Sequence, residues 1–284
     1  IRNTDAIYLD KGKQITNAVF GKGAKDIKDL GKGVNRVYGI GESGFDVCSI
    51  QFAIHYMFES GETLQNFLRN VSETTTKGGY FIGTSYDGTA IFKMLAKKES
   101  GEGVSINEKD KKIWSVTKEY NRQEFPNDES SVGYAINVYQ ETINKAQREY
   151  LVNYDYLTRL MENYGFIPLS REESQGIGLP SGIGMFSELY GLMSSEVERN
   201  PSLKREYKSA LDMTANERKI SFLNKYFIYK KVRNVDASKV MLGLLHKTLD
   251  EVDDERKESE KAVEVVEKTE EKVEEETKKQ TIKV

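Results

Sequence analysis

The segment Phe45-Asp46-Val47-Cys48-Ser49-Ile50-Gln51-Phe52-Ala53-Ile54 constrains this chain more than any other. Its apolar residues run with few breaks, the pattern of a strand buried on both faces in a parallel sheet. Over residues 60–75 the period changes. Leu64, Phe67, Leu68 and Val71 recur at i, i+3, i+4 and i+7, with Arg69 and Glu73 on the other side, which describes an amphipathic helix. Lys77-Gly78-Gly79 then offers glycines to end that helix at positive φ. Tyr80-Phe81-Ile82-Gly83-Thr84 reads as the next strand, and Asp87 can cap a helix carrying Ile91, Phe92 and Leu95. Strand, helix, strand, helix with short links is the grammar of a doubly wound α/β sheet.

After Lys98 the grammar changes. Residues 113–120 and 132–139 alternate, with Val132, Tyr134, Ile136 and Val138 on one face, and read as β-strands suited to antiparallel pairing. Tyr150, Tyr154, Leu157, Met161 and Tyr164 predict a long amphipathic helix stopped by Gly165 and Pro168. Residues 169–184 read as a Gly/Ser loop. Phe186, Leu189, Tyr190 and Met193 mark another helix, residues 222–232 a last, aromatic strand, and residues 240–249 one more short helix. Three regions result: a poorly patterned lead-in over 1–44, a body over 45–232, and a charged tail over 233–284 that is helical or disordered.

Composition then removes alternatives. No apolar run approaches the ~20 residues of a membrane-crossing helix. Cys48 is the single cysteine, so there is no disulfide framework, and a reducing, intracellular setting fits. His55 and His246 are the only histidines, which leaves no metal-ligand cluster. The net charge of −3 is unevenly spread. Residues 251–284 hold 13 acidic and 8 basic residues, −5, whereas residues 1–250 hold 32 acidic and 34 basic, +2. That body is far from a nucleic-acid-coating charge.

The stretch Phe45-Asp46-Val47-Cys48-Ser49-Ile50-Gln51-Phe52-Ala53-Ile54-His55-Tyr56-Met57-Phe58 closely resembles a signature of the mRNA cap guanine-N7 methyltransferases. The likeness continues through Phe67-Leu68-Arg69-Asn70-Val71, Gly78-Gly79-Tyr80-Phe81-Ile82-Gly83-Thr84, Tyr134-Ala135-Ile136-Asn137, Glu149-Tyr150-Leu151-Val152 and the terminal strand. It covers about residues 34–232, and its phrasing is most similar to the C-terminal methyltransferase domain of multifunctional capping enzymes of large DNA viruses. The resemblance implies an α/β fold of the class I, Rossmann-like type, S-adenosylmethionine as methyl donor, and the capped 5′ end of mRNA as substrate. It also implies triphosphatase and guanylyltransferase domains upstream in the same polypeptide, and a viral factory in the host cytoplasm, or a virion, as location.

Site residues follow from the same resemblance. Gln51 and Tyr56 are expected to contact S-adenosylmethionine, with Phe52 against its adenine. His55 is expected to face the cap guanine and Glu149 to recognise its edge. On residue type alone, His55 reads as a helix-entry or core histidine and Glu149 as a first-turn acid complementing a helix dipole. The family commonly closes the pocket with a tyrosine on the last strand; Asn224 falls near that place, with Tyr226 next in line.

The family's Gly-rich cofactor turn and two acidic strand ends precede its Phe-Asp-x-Cys strand. Only residues 1–44 precede it here, and Gly21-Lys22-Gly23, Gly31-Lys32-Gly33 and Gly39-Ile40-Gly41 read as loop glycines. Ile1-Arg2-Asn3 is similar to family sequence just past the third strand. The expectation is therefore the C-terminal part of the sheet, with the first strands missing, an open apolar edge on the strand at Phe45, and an isolated fragment without activity. Two other readings stay open: a non-catalytic methyltransferase-fold subunit that binds a capping-enzyme partner, and a methyltransferase acting on a different substrate.

Overall fold

The computed structural model describes residues 15–23, 25, 33 and 36–246. The expected apolar patch at 6–9, the tail at 251–284 and the last residues of the helix expected at 240–249 lie outside the described residues. The chain divides into two bodies, residues 1–42 with 238–284, and residues 43–237. In the first, Gly21, Gly23 and Gly39 all have positive φ, as loop glycines do, and the Tyr38 hydroxyl donates to the Gly21 and Gly23 carbonyls at 3.0 and 2.8 Å.

The second body is built on two sheets. In the first, β1 (Phe45–Gln51) and β2 (Thr75–Tyr86) are parallel and joined by α1 (Gly61–Thr74), a βαβ unit. Ser60 caps α1 by accepting from the Thr63 amide, and Leu64, Leu68 and Val71 bury the stripe expected of them. Each such side chain contributes about 2 kcal/mol of apolar burial. The helix ends at Thr74, so Lys77-Gly78-Gly79 does not terminate it. These residues lie within β2, where register jumps from Phe45↔Thr75 to Val47↔Tyr80, and Gly78 takes φ +89° inside this bulge. The run at Phe45 is a strand as expected, but it is not buried on both faces. Val47 is 50% exposed, and no strand pairs with the other edge of β1 among the described residues. Burial of an apolar strand needs layers on both faces, and these residues supply one lateral neighbour. Among the described residues that edge of β1 is open.

After β2, Asp87 caps α2 (Gly88–Met94) by accepting from the Thr89 amide at 3.2 Å, as expected. The chain then leaves the first sheet for an antiparallel meander, β3 (Gly103–Glu108), β4 (Lys111–Lys118), β5 (Ala135–Gln140) and β6 (Lys145–Tyr150). Its inner face packs Trp114, Val116, Ile136 and Val138 on Ile91, Leu95 and Leu151. Tyr150 ends β6 rather than opening a helix. The helix α3 (Tyr154–Asn163) starts later, capped by Asn153, whose side chain accepts from the Tyr156 amide.

The chain returns to the first sheet through β7 (Phe166–Pro168) and β8 (Ile183–Met185). Between them, the expected Gly/Ser loop contains α4 (Arg171–Gly176), which opens with a capping box between Ser170 and Glu173. Next come α5 (Phe186–Arg199) and α6 (Ala215–Ser221). The last strand, β9 (Asn224–Lys231), runs antiparallel to β2 on one edge and to β7 and β8 on the other. Phe81, Phe227 and Tyr229 fill the core beneath, with the Phe81 and Phe227 ring centres 5.1 Å apart. Gly83 has no room for a side chain: a Cβ there would lie 2.3 Å from the Ile50 carbonyl oxygen and 2.4 Å from the Phe227 ring. A final helix, α7 (Ala237–Leu245), follows.

Candidate active site

Of the expected site residues, Gln51 and Phe52 lie at the carboxyl end of β1, His55 and Tyr56 on the helix that follows, and Glu149 on β6. Gln51 ends β1 with its amide fixed from both sides. Its Nε2 donates to Ser49 Oγ and its Oε1 accepts from Thr84 Oγ1, each at 2.9 Å. Phe52 follows at φ +50°, a left-handed backbone uncommon for a bulky residue. Its amide donates to the Thr84 carbonyl at 2.9 Å, which holds the turn. The ring stays 53% exposed, with its neighbour Phe186 edge-on at 6.1 Å.

That turn feeds a single 3-10 helix, Ile54–Glu59, which buries Ile54, His55 and Phe58. His55 is therefore a buried helix-entry residue. Tyr56 packs beside it, ring centres 4.2 Å apart, and donates its hydroxyl to Gln147 Oε1 on β6 at 2.8 Å. The register of β6 on β5 pairs Gln147 with Val138 and Glu149 with Ile136, so both share the meander's inner face. Glu149 is thus a strand residue and not a first-turn acid. Its Oε2 lies 3.7 Å from His55 Nε2.

His55 and Glu149 are 5% and 6% exposed, and His55 Nδ1, His55 Nε2 and Glu149 Oε2 have no hydrogen-bond partner. Desolvation acts on both. It lowers the His55 pKa to about 4 and raises that of Glu149 to about 7. Between those values His55 is neutral and Glu149 holds its proton, so the contact is not a formed ion pair. Burial, then the nearby Glu149, raises the Tyr56 phenol as well.

Two expected residues lie apart from this pair. Asn224 opens β9 opposite Tyr86 and donates its amide to the Ile220 and Ser221 carbonyls, leaving Oδ1 buried without a partner. Tyr226 is buried and donates its hydroxyl to the Ser181 carbonyl at 3.0 Å. No hydrogen bond or ring contact joins either to His55 or Glu149. Tyr226 stands opposite Thr84, on the Gln51 side of the site. Gln147, Thr84 and Tyr86 escaped the sequence reading. The signal for Gln147 was its place two residues before Glu149, readable only once β6 is known to be a strand. No group of three or more potential metal ligands occurs among the described residues.

This α/β scaffold, with its candidate site beside the carboxyl ends of its parallel strands, is of the Rossmann-like kind. The sequence profile described as the mRNA (guanine-N(7))-methyltransferase domain matches residues 27–232, and the chain belongs to that family. A probable mRNA-capping enzyme of Acanthamoeba polyphaga mimivirus is 24% identical over 226 residues, 74% of this chain and 19% of the relative. The mRNA cap guanine-N(7) methyltransferase 1 of Oryza sativa subsp. japonica is 37% identical over 30% of this chain and 22% of its own length. That of Candida albicans is 32% identical over 45% of this chain and 28% of its own length. The chain thus spans about a fifth of the first two of these relatives. Among solved structures, the CcbJ methyltransferase from Streptomyces caelestis aligns with a TM-score of 0.35 at 9% identity, over 68% of this chain and 59% of that one.

Proposed function

We propose that this chain supplies the guanine-binding part of an mRNA cap guanine-N7 methyltransferase that uses S-adenosylmethionine. The observation that carries this reading is the His55–Glu149 pair, buried and without hydrogen-bond partners at three polar atoms. A buried polar atom left bare costs about 1–3 kcal/mol, so such a pair is stabilised by a ligand that brings complementary groups. Guanine brings them: its N1–H and exocyclic amine donate, and a carboxylate accepts from both. His55 lies against the base, and Tyr56 beside it is turned to S-adenosylmethionine.

The reaction asks little acid–base work of these residues. N7 of guanine carries its own lone pair and no proton, so no general base is needed, which suits a site with a single carboxylate. S-adenosylmethionine, when bound, supplies a methyl group on a cationic sulfur. Gln51 and Phe52 suit a nucleoside ligand: an amide held by Ser49 and Thr84, and an exposed ring at the end of β1. Methylation leaves the purine cationic. Glu149, whose pKa is about 7 in the free site, is drawn toward its ionised form by that charge. Rate then comes from alignment and from placing negative charge where positive charge develops.

We also infer from the capping-enzyme relative that this segment works in one polypeptide with triphosphatase and guanylyltransferase domains, in a viral factory or virion. No helix among the described residues is long and apolar enough to cross a membrane. The test is methyl transfer from labelled S-adenosylmethionine to GpppG-capped RNA by the polypeptide that carries this segment. Labelled 7-methylguanosine cap is the expected product. Label on another atom, or none, overturns the reading, and binding to a capping partner without transfer would favour a non-catalytic subunit.

A further inference from the structure

One polar residue beside this site has an unusual set of partners. Tyr86 ends β2 on the same face as Thr84, and its side chain reaches the inner face of the meander. There its phenolic oxygen accepts twice, from Trp114 Nε1 at 3.0 Å and from Gln140 Nε2 at 3.2 Å. An indole N–H only donates, so at least that bond fixes the phenol as acceptor. With both lone pairs occupied, the hydroxyl hydrogen is the remaining valence, and no group among the described residues accepts it. Tyr86 is partly exposed, so the residue is within reach of a ligand. Burial first, and Glu149 through space, push its pKa up to about 12, which keeps the proton in place at any working pH and sets the carboxylate within electrostatic range.

Resting on the guanine reading above, we propose that Tyr86 is a specificity-determining residue: its O–H, oriented by Trp114 and Gln140, donates to the O6 carbonyl of the base whose neighbouring N1–H and amine meet Glu149. The two residues then read complementary chemistry, an acceptor facing N1–H and the amine and a donor facing O6. Adenine presents an amino donor in place of O6, so Tyr86 would confront it donor to donor. A site that hydrogen-bonds a substrate group in this way discriminates by leaving its own buried groups unpaired with the wrong substrate.

The test compares two caps on the polypeptide that carries this segment: guanosine, and 6-thioguanosine, which keeps N1–H, the amine and N7 but offers a poor acceptor at position 6. Tyr86→Phe is expected to lower kcat/KM on the guanosine cap about 10- to 30-fold, and on the 6-thio cap by no more than about three-fold. Cofactor affinity should be unchanged. Equal losses on both caps describe a packing role and overturn the proposal, as does no loss on guanosine. Should the variant not fold, Gln140→Leu reads the same interaction from the other side. The phenol keeps its hydrogen but is free to turn, so a cap-selective loss of about three-fold is expected, and a loss equal for both caps overturns the proposal. Transfer by the unmodified polypeptide with cap-independent variants rejects only the Tyr86 assignment; absence of transfer to either cap rejects the guanine reading with it.

Discussion

Lys231 and Glu149 are buried to the same degree, 5% and 6% exposed, and stand in opposite relations to their surroundings. Lys231 ends β9 beneath the last turn of α1. Its ammonium donates to the Ser72 and Thr75 carbonyls at 2.6 and 2.8 Å. Those carbonyls are among the orphans every helix leaves at its C-terminus, and a cation there also meets the negative end of the helix dipole. Glu149 has His55 at 3.7 Å and no hydrogen bond at Oε2. The difference teaches that burial does not by itself separate a structural charge from one kept for a ligand. What separates them is whether the protein has already supplied the partners.

The largest expected effect is on Glu149. Glu149→Ala should cut methyl transfer to capped RNA by about 100-fold or more, roughly 3 kcal/mol of transition-state binding, while the melting temperature holds or rises. Retained activity would erase the contrast with Lys231. The mirror experiment comes next. Lys231→Met should lower the unfolding free energy by about 2–3 kcal/mol, because it strips two buried carbonyls of their donor. Urea denaturation measures this, and a variant with unchanged stability but weakened cap binding would reverse the assignment.

A smaller effect separates charge from shape. The folded pKa of Glu149, about 7, exceeds its unfolded value of 4.5, so the native state holds this proton more tightly. Its contribution is complete below pH 4.5 and is lost as pH rises through 7. Glu149→Gln should therefore gain on the unmodified protein with rising pH, most steeply between pH 4.5 and 7. His55 runs the other way, since its folded pKa of about 4 lies below 6.5 and its neutral form is lost from the native state's advantage as pH falls from 6.5. A difference between Gln and Glu that is flat from pH 5 to 8 would contradict the desolvation of Glu149. The smallest effect belongs to Tyr56→Phe, which removes the hydrogen bond to Gln147. It should raise KM for S-adenosylmethionine by about three- to five-fold with little change in kcat.

The sequence pattern disclosed the βαβ unit, the stripe of α1, the Asp87 cap and β9, because each rests on local periodicity or a local hydrogen bond. It concealed β6, since in Lys145-Ala146-Gln147-Arg148-Glu149-Tyr150 the one fully buried side chain is a glutamate. Gly78-Gly79 misled because glycine marks helix ends and strand bulges alike, and Ser170-x-x-Glu173 was a capping box passed over among glycines. Of the site, His55 and Glu149 were marked by family resemblance alone. Nothing in their local sequence declares that β6 and the 3-10 helix meet. Tyr86 and Gln147 were invisible because their meaning lies in cross-strand register.

Gly83 limits how far such a chain can drift. The mimivirus relative is 24% identical over the aligned residues, so most aligned positions differ between these two chains. At Gly83 the obstacle is the carbonyl oxygen of Ile50, main chain rather than side chain, and no replacement at a neighbouring position removes it. Truncating Phe227 would clear one obstacle and leave the other. The position is closed to compensation, an evolutionary dead end for every residue but glycine as long as β1 and β2 keep their register.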